Sequence, residues 1–278
     1  SKDDSSHFDY KLSLEYDLGQ DHMLWVDYST GYKQVRGASA DQELKSYQAG
    51  SKSRFMDNKV QLNATAFYYD YSNFDIGRVS SEYVSYDAET GEWDEEGTES
   101  ATFNGQGIGD AALYGLDLSM DYVITSADRL NFSLSYLSAK VDQVVITYTY
   151  QGIEYPDLVP RKIVDKGKAL NNAPELSIVA GYQHRFDLAN GGKITPRIDL
   201  RYTSKYYLEF YPQDSNIPEG MDVDKVNTEP NHLMGDVSLN YTHPSGEWTL
   251  NGYVKNVTNY AEKNGLMRGN MRLGAPRT

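Results

Sequence analysis

The sequence contains no cysteine. That excludes a disulfide framework and any thiolate metal site. No run of about 18 apolar residues occurs, so there is no candidate for a membrane-crossing helix. Positive charge is scarce: 26 Lys+Arg stand against 40 Asp+Glu, a formal net charge of −14. A generic nucleic-acid surface would be basic, so no nucleic-acid partner is expected. Hydrophobic residues make up 39%, below the roughly 45–50% usual for soluble domains. The Ser-Lys-Asp-Asp start has no signal-peptide apolar region and reads as an internal start or a mature end. There is no Walker motif and no nucleophile elbow, so neither an enzyme nor a cofactor is expected. Gly105-Gln-Gly-Ile-Gly109 is not a dinucleotide fingerprint; it precedes a strand rather than a helix and reads as a flexible return from a long loop.

What the chain does have is tyrosine, 24 of them, with 8 Phe and 3 Trp. It also has a period of two. In residues 60–71, Val60, Leu62, Ala64, Ala66 and Tyr68 fall on one face and Gln61, Asn63 and Thr65 on the other. Strict alternation makes a strand with one apolar and one polar face. The same pattern recurs, and about ten strands are expected: roughly 7–18, 22–33, 43–55, 60–75, 110–124, 129–141, 174–186, 193–208, 231–242 and 247–257. No stretch sustains a 3.6-residue period. The chain is all-β.

The connections alternate as well. Short turns are expected at Gly19–Asp21, Met56–Lys59, Thr125–Asp128, Asp187–Gly192 and Pro244–Glu247, and long loops near 34–42, 76–109, 142–173, 209–230 and 258–272. Short turns below and long loops above mark an antiparallel transmembrane β-barrel of the bacterial outer membrane. A soluble sandwich or solenoid also alternates apolar and polar residues. Against it, the polar faces carry charge in nearly every strand, which suits a wet lumen. Tyr10, Tyr16, Tyr28, Tyr68, Tyr122, Tyr136, Tyr182, Tyr202 and Tyr241 lie at strand ends, where aromatic girdles sit. Outer-membrane lipid and lipopolysaccharide are then expected neighbours.

Six stretches carry a more specific resemblance. They are Tyr28-Ser-Thr-Gly-Tyr-Lys33, Val60 to Tyr71, Ala112-Leu-Tyr-Gly-Leu-Asp-Leu118, Leu170-Asn-Asn-Ala-Pro174, Tyr253-Val-Lys-Asn-Val-Thr-Asn259 and Gly274-Ala-Pro-Arg-Thr278. In this order they resemble the strand motifs of the C-terminal half of a TonB-dependent outer-membrane receptor. The resemblance spans essentially the whole chain, 1–278. It implies about ten strands plus a stub, Leu273 to Thr278, of a 22-stranded barrel. The family's plug domain, TonB box and first barrel half would lie outside this sequence. The resemblance further implies a scarce substrate bound at extracellular loops and imported with energy from the TonB-ExbB-ExbD system. A ferric siderophore or other iron complex comes first among substrates. An oligosaccharide or cobalamin comes second, and the absence of a "F-R-A-P…N-P-N-L" pair disfavours heme. A passive porin and a surface-binding barrel are the readings from other classes.

Candidate ligand contacts come from the long loops. In 76–109, eight acids against Arg78 leave a net −7, half of the chain's charge. Clustered carboxylates supply hard oxygen ligands, so Asp87, Glu89, Asp94 and Glu95 are cation candidates, although the EF-hand spacing is absent. A solvated hairpin explains the same acids. Tyr83, Tyr86 and Trp93 alternate with them and offer aromatic surface. In 142–173, Arg161, Lys162, Lys166 and Lys168, only partly offset by Asp157 and Asp165, suit an anionic chelate or lipid phosphates, although ordinary solvated charge explains them first. Tyr206, Tyr207 and Tyr211 offer further aromatic contacts, with Tyr211 the candidate taken forward, but the outer interfacial girdle is the preferred reading of the tyrosines there. The five histidines, His7, His22, His184, His232 and His243, form no metal-ligand spacing; they read as surface or interfacial residues, with His22, His184 and His243 at periplasmic strand ends. Asn63-Ala-Thr65, Asn131-Phe-Ser133 and Asn256-Val-Thr258 match a glycosylation triplet but fall on or at the ends of strands, so they read as chance.

Overall fold

The computed structural model describes residues 7–34, 41–86, 99–150, 153–154, 162–164, 167–210, 227–267 and 270–274. At 77–86, 99–104, 150, 153–154, 162–164, 264–267 and 270–272 it describes the backbone alone. In chain order the strands are β1 (Lys11–Asp17), β2 (His22–Lys33), β3 (Gln42–Phe55), β4 (Val60–Tyr86), β5 (Glu99–Val123), β6 (Asp128–Tyr150), β7 (Ile153–Glu154), β8 (Lys162–Val164) and β9 (Leu176–His184). There follow β10 (Phe186–Asp187), β11 (Lys193–Thr203), β12 (Tyr206–Tyr207), β13 (Thr228–Glu229), β14 (His232–Thr242), β15 (Thr249–Val254), β16 (Lys263–Met267) and β17 (Asn270–Leu273).

Ten of them form one antiparallel wall in the order β1-β2-β3-β4-β5-β6-β9-β11-β14-β15. Each wall strand pairs with the next wall strand in sequence, because a short turn or a returning loop leaves it no nearer partner. The register carries one face across the wall without a slip. Leu14 lies opposite Val26, Val26 opposite Ala49, Ala49 opposite Ala66, Ala66 opposite Leu116, and Leu116 opposite Tyr136. Beyond β6 the same face holds Leu134 opposite Ile178, Ile178 opposite Tyr202, and Tyr202 opposite Leu233. A one-residue slip anywhere would turn this face inside out.

This face is apolar and uncovered, with Leu12, Leu14, Val26, Leu116, Tyr136, Tyr182, Ile198 and Leu239 all exposed. Its upper rim is a row of tyrosines: Tyr28, Tyr47, Tyr68 and Tyr114 are consecutive cross-strand partners. The rings of Tyr28 and Tyr47 stand 4.9 Å apart, and those of Tyr47 and Tyr68 6.2 Å apart. On β5 the lower aromatic, Tyr122, follows Tyr114 by eight residues. That is about 27 Å along a strand, or roughly 20 Å across a bilayer at the usual tilt. Three of the histidines mark the lower rim, each against an aromatic ring: His22 on Phe55, His184 on Phe186 and His243 on Trp248.

All five short turns are where expected, and their chemistry is local. Met56, Asp57 and Asn58 are successive left-handed residues, and Gly19, Gly191 and Gly246 have φ of 83°, 84° and 72°. In the turn between β5 and β6, Thr125 Oγ1 accepts the backbone N–H groups of Ala127 and Asp128.

The strands run further than the alternation predicts. β4 and β5 stay paired out to Tyr86 opposite Glu99, and β6 continues to Tyr150. Much of the expected loop 76–109 is therefore a strand hairpin. Gly105 to Gly109 is no flexible return: these residues lie within β5, paired on both sides to β4 and β6. Gly105, Gly107 and Gly109 lack side chains, which obscures the alternation but allows close approach. A Cβ on Gly109 would lie 1.9 Å from the carbonyl oxygen of Gln143. Further down the same strand a Cβ on Gly115 would lie 2.0 Å from the Tyr136 carbonyl oxygen, whereas one on Gly252 would meet nothing within 4 Å. Gly115→Ala is expected to lower barrel stability by about 1–3 kcal/mol. Gly252→Ala is expected to leave the urea midpoint in place; equal midpoints for the two variants would contradict the close packing of β5 on β6.

Candidate functional site

The inward face of the wall is polar by alternation, and its side chains bond to one another. Asp27, nearly buried, receives Lys11 Nζ at 2.5 Å and Ser13 Oγ at 3.2 Å. Gln48 Nε2 donates to Ser46 Oγ and Tyr69 Oη, both at 3.2 Å. Asn63 Nδ2 donates to Ser119 Oγ at 3.1 Å. Arg197 grips Asp199 with Nε at 2.8 Å and Nη2 at 2.5 Å, and its Nη1 reaches Asn131 and Gln183. It lies over Gly181, where any Cβ would collide with the guanidinium. A hollow of about 310 Å³ lies among Asn63, Ser119 and Ser133, with Leu118, Leu134 and Val179 also in its lining. Hydroxyls, amides and neutralised charges make a hydrated wall. No nucleophile stands beside a base among these bonded groups.

Where the strands leave the membrane, the inward face changes character. Ala111, Ala139, Val141, Val144, Ile146, Tyr148, Leu170 and Phe210 are buried together, with Tyr71, Phe74 and Leu113 packed against them. This is the main apolar core among the described residues. It exists because the segment 167–173 folds back along β6: Val141 N–H donates to Lys168 O at 2.9 Å and Leu170 N–H to Ala139 O at 3.0 Å. Asn172, left-handed with φ of 53°, then donates its N–H to Tyr207 O at 2.7 Å. So the segment 167–173 is packed onto the wall rather than draped over it.

Beside this core lies a buried polar joint. Glu229 is 0% exposed. Its Oε1 accepts Tyr260 Oη–H at 2.5 Å and its Oε2 accepts the Lys263 N–H at 3.0 Å. Lys263 Nζ donates to Thr228 O at 2.9 Å, and Tyr206 Oη–H donates to Glu262 Oε1 at 3.2 Å. Burial, then the nearby Glu262 carboxylate, pushes the Tyr206 phenol up to about 12. Burial and the hydrogen bond to Glu229 push Tyr260 higher still. Both phenols therefore hold their protons and act as donors. Burial also pushes the Glu209 carboxyl up, while Asn227 pairs with both backbone groups of Glu209 at 2.9 Å. Asn256 anchors the far side: its N–H meets Asp236 Oδ1 at 2.7 Å, its Oδ1 accepts Tyr260 N–H and its Nδ2 donates to Tyr260 O. Its triplet is a turn anchor, which explains the residue types without glycosylation.

Two expectations are corrected here. His232 is not a surface residue: its side chain is 1% exposed and its ring stacks on Tyr260 at 4.6 Å and 5°. Tyr206 is not girdle but a donor inside the joint. The signal that was available is the pair Glu229 and His232 three residues apart on either side of Pro230, followed about thirty residues on by Tyr260 and Glu262. Only the fold brings the two together. The imidazole stands between the carboxylates, so no point reaches all three groups. Among the described residues no three His, Asp or Glu side chains gather as a metal site.

The candidates from the loops fare differently. Tyr83 and Tyr86 lie on β4 in the projecting hairpin, opposite Thr102 and Glu99. Lys162 lies on β8, opposite Ile146. Trp93, Arg161, Tyr211 and the cation candidates Asp87, Glu89, Asp94 and Glu95 lie outside the described residues.

Residues 1–257 match the family model described as TonB dependent receptor-like, beta-barrel. The chain belongs to the TonB-dependent receptor β-barrel family. The wall is thus part of a bacterial outer-membrane barrel, in a family of receptors and transporters rather than enzymes. No curated protein matches the sequence. Among solved structures, the receptor wall is similar to Fiu, the ferric-catecholate import receptor of E. coli K12, at 14% identity and a TM-score of 0.61, covering 97% of this chain and 33% of that one. It is similar to the siderophore receptor PiuA of Acinetobacter baumannii at 14% identity and 0.62, with 97% and 34% covered. It is also similar to the ferric yersiniabactin uptake receptor FyuA of Yersinia pestis at 13% and 0.61, with 96% and 35% covered. The chain spans about a third of the length of these receptors, and identities this low speak for the fold. Two of the six resembling stretches now have a physical account. Leu170 to Pro174 seats the apolar core and docks Tyr207, and Tyr253 to Asn259 carries the Asn256 anchor.

Proposed function

We propose that this chain is the C-terminal barrel part of an active importer that binds a ferric siderophore or similar iron complex at its extracellular side. The observation that carries this reading is the family match over 1–257. Solved structures of the same fold whose names state iron-chelate import support the substrate class. A polar inward wall with internally neutralised charges suits a solvated passage, and packed outer segments suit a preorganised vestibule. Energy would arrive from TonB-ExbB-ExbD through a plug and TonB box encoded outside residues 1–278. Tyr83, Tyr86, Trp93, Arg161, Lys162 and Tyr211 are proposed to meet the chelate, the cations taking its anionic groups and the aromatics its rings. Asp87, Glu89, Asp94 and Glu95, between β4 and β5 in the sequence, are proposed as a cation site.

The test uses the whole receptor in an outer-membrane host stripped of its own ferric receptors. Uptake of radiolabelled iron from a panel of ferric chelates is expected to appear with the receptor and to vanish when TonB is deleted or the proton gradient is collapsed. Uptake that persists without TonB would make the protein a passive porin. Energised uptake of an oligosaccharide or cobalamin, with none of any ferric chelate, would replace the substrate class.

A further inference from the structure

His232 holds one nitrogen in place and leaves the other without a partner. Nδ1 lies 3.0 Å from the Pro230 carbonyl oxygen. A carbonyl only accepts, so Nδ1 carries the proton, and Glu229 Oε1 at 3.5 Å lies on the same side. In the neutral ring Nε2 then presents a lone pair. It is buried, has no hydrogen-bond partner and faces Glu262 Oε1 at 3.6 Å. A lone pair against a carboxylate is unfavourable; a second proton turns it into a charge-assisted hydrogen bond.

We infer that His232 is a proton-operated latch, which on protonation ties Glu229 at the base of the β12–β13 segment to Glu262 in the segment after β15. The latch sits at the extracellular end of β14, where His232 pairs with Thr203, and it does not depend on which ligand the receptor carries. Every neighbouring element contributes a charged or titratable group to the same small volume. β13 brings Glu229 and β12 brings Tyr206; the segment after β15 brings Tyr260, Glu262 and Lys263; β11 brings Arg201, which acts on Tyr206 and whose Nη2 contacts Met234 Sδ. Both phenols already donate to the carboxylates, and Lys263 Nζ donates to Thr228 O. Protonation of the imidazole adds a positive charge directly between the two acids. The latch closes on acidification and loosens as pH rises.

The experiment is hydrogen–deuterium exchange on the full-length receptor in nanodiscs, with EDTA present, at about pH 5.5 and about pH 8. Exchange is corrected for its intrinsic pH dependence and read on the backbone of 256–263, which Glu209 does not touch. Protection there is expected to rise roughly tenfold at the acid pH, the scale of one charge-assisted hydrogen bond. His232→Gln, which cannot take the second proton, is expected to abolish the difference, and so is Glu262→Gln, which removes the charge it bonds. Heat-modifiable mobility on gels confirms that each variant keeps its barrel. If His232→Gln fails that check, Glu262→Gln alone decides. Wild-type protection that is equal at both pH values, or a difference that survives the variants, overturns the latch. So does protection that, in a parallel run with zinc in place of EDTA, appears only with the metal and rises with pH, since metal binding favours the deprotonated ring.

Discussion

Leu118→Arg is expected to destabilise the folded barrel in a bilayer by about 2–4 kcal/mol, the depth-dependent cost of a guanidinium on the lipid side near the midplane. Leu118 is midway along β5 between the tyrosines at 114 and 122, on the face that holds Ala64 and Leu134 as its cross-strand partners. It has no lumen to turn into, because its neighbours Asp117 and Ser119 already occupy that side. The matched control is Ser133→Arg on β6. Ser133 lies opposite Ser119, on the face that alternates with Leu118, and is exposed, so its change is expected to stay within about 0.5 kcal/mol. Urea-dependent folding into vesicles reads both. Similar costs at the two sites would mean that the two faces have been assigned the wrong way round.

Glu229→Ala is expected to have the other large effect, and a local one. It removes two hydrogen bonds made by the fully buried Glu229, from the Tyr260 hydroxyl and from the Lys263 N–H. A lost hydrogen bond to a charged group costs about 1.5–3 kcal/mol, so the joint is expected to weaken by about 2–4 kcal/mol. The wall strands do not pass through Glu229, so the barrel should stay folded. Exchange protection is expected to collapse at 227–231 and 256–263 while β4 and β5 keep theirs. Glu229→Gln retains an acceptor and should recover most of the loss. Global unfolding of the Ala variant would show that the joint supports the wall itself.

Phenol titration gives a second check on the joint. Tyr206 is pushed up to about 12, so folding favours its protonated form. That contribution is complete below the ordinary phenol value of about 10 and fades as pH rises through about 12. Tyr206→Phe is therefore expected to remove part of the alkaline unfolding slope of 206–210, measured by tyrosinate absorbance alongside exchange. An unchanged slope would place Tyr206 outside the network.

Much of the fold is legible in residue order. Val60 to Tyr68 alternates cleanly because a strand sends successive side chains to opposite faces, and the turn at Met56 to Lys59 is written in residues that tolerate a left-handed backbone. The site is less legible. The loop residues proposed as ligand contacts stand out by type and clustering, and spacing within a loop carries no register to say which of them converge. The glycines from 105 to 109 hide a strand, because a residue without a side chain has no face to alternate. The burial of His232 is invisible in the sequence because nothing within several residues of it announces a core; Tyr260 and Glu262, which meet its ring, come from about thirty residues on.

The sequence by itself determined the ten-strand wall, its up-and-down order, which face meets lipid and the family to which it belongs. Those properties follow from periodicity and turn chemistry, which act between neighbours in the chain. Only the tertiary structure decided that 167–173 folds back over an apolar core, that β4 and β5 stay paired out to Tyr86 and Glu99, and that one buried imidazole lies between two carboxylates. Each of these depends on contacts between residues far apart in the chain, where the energy comes from excluding water from surfaces that no local pattern brings together.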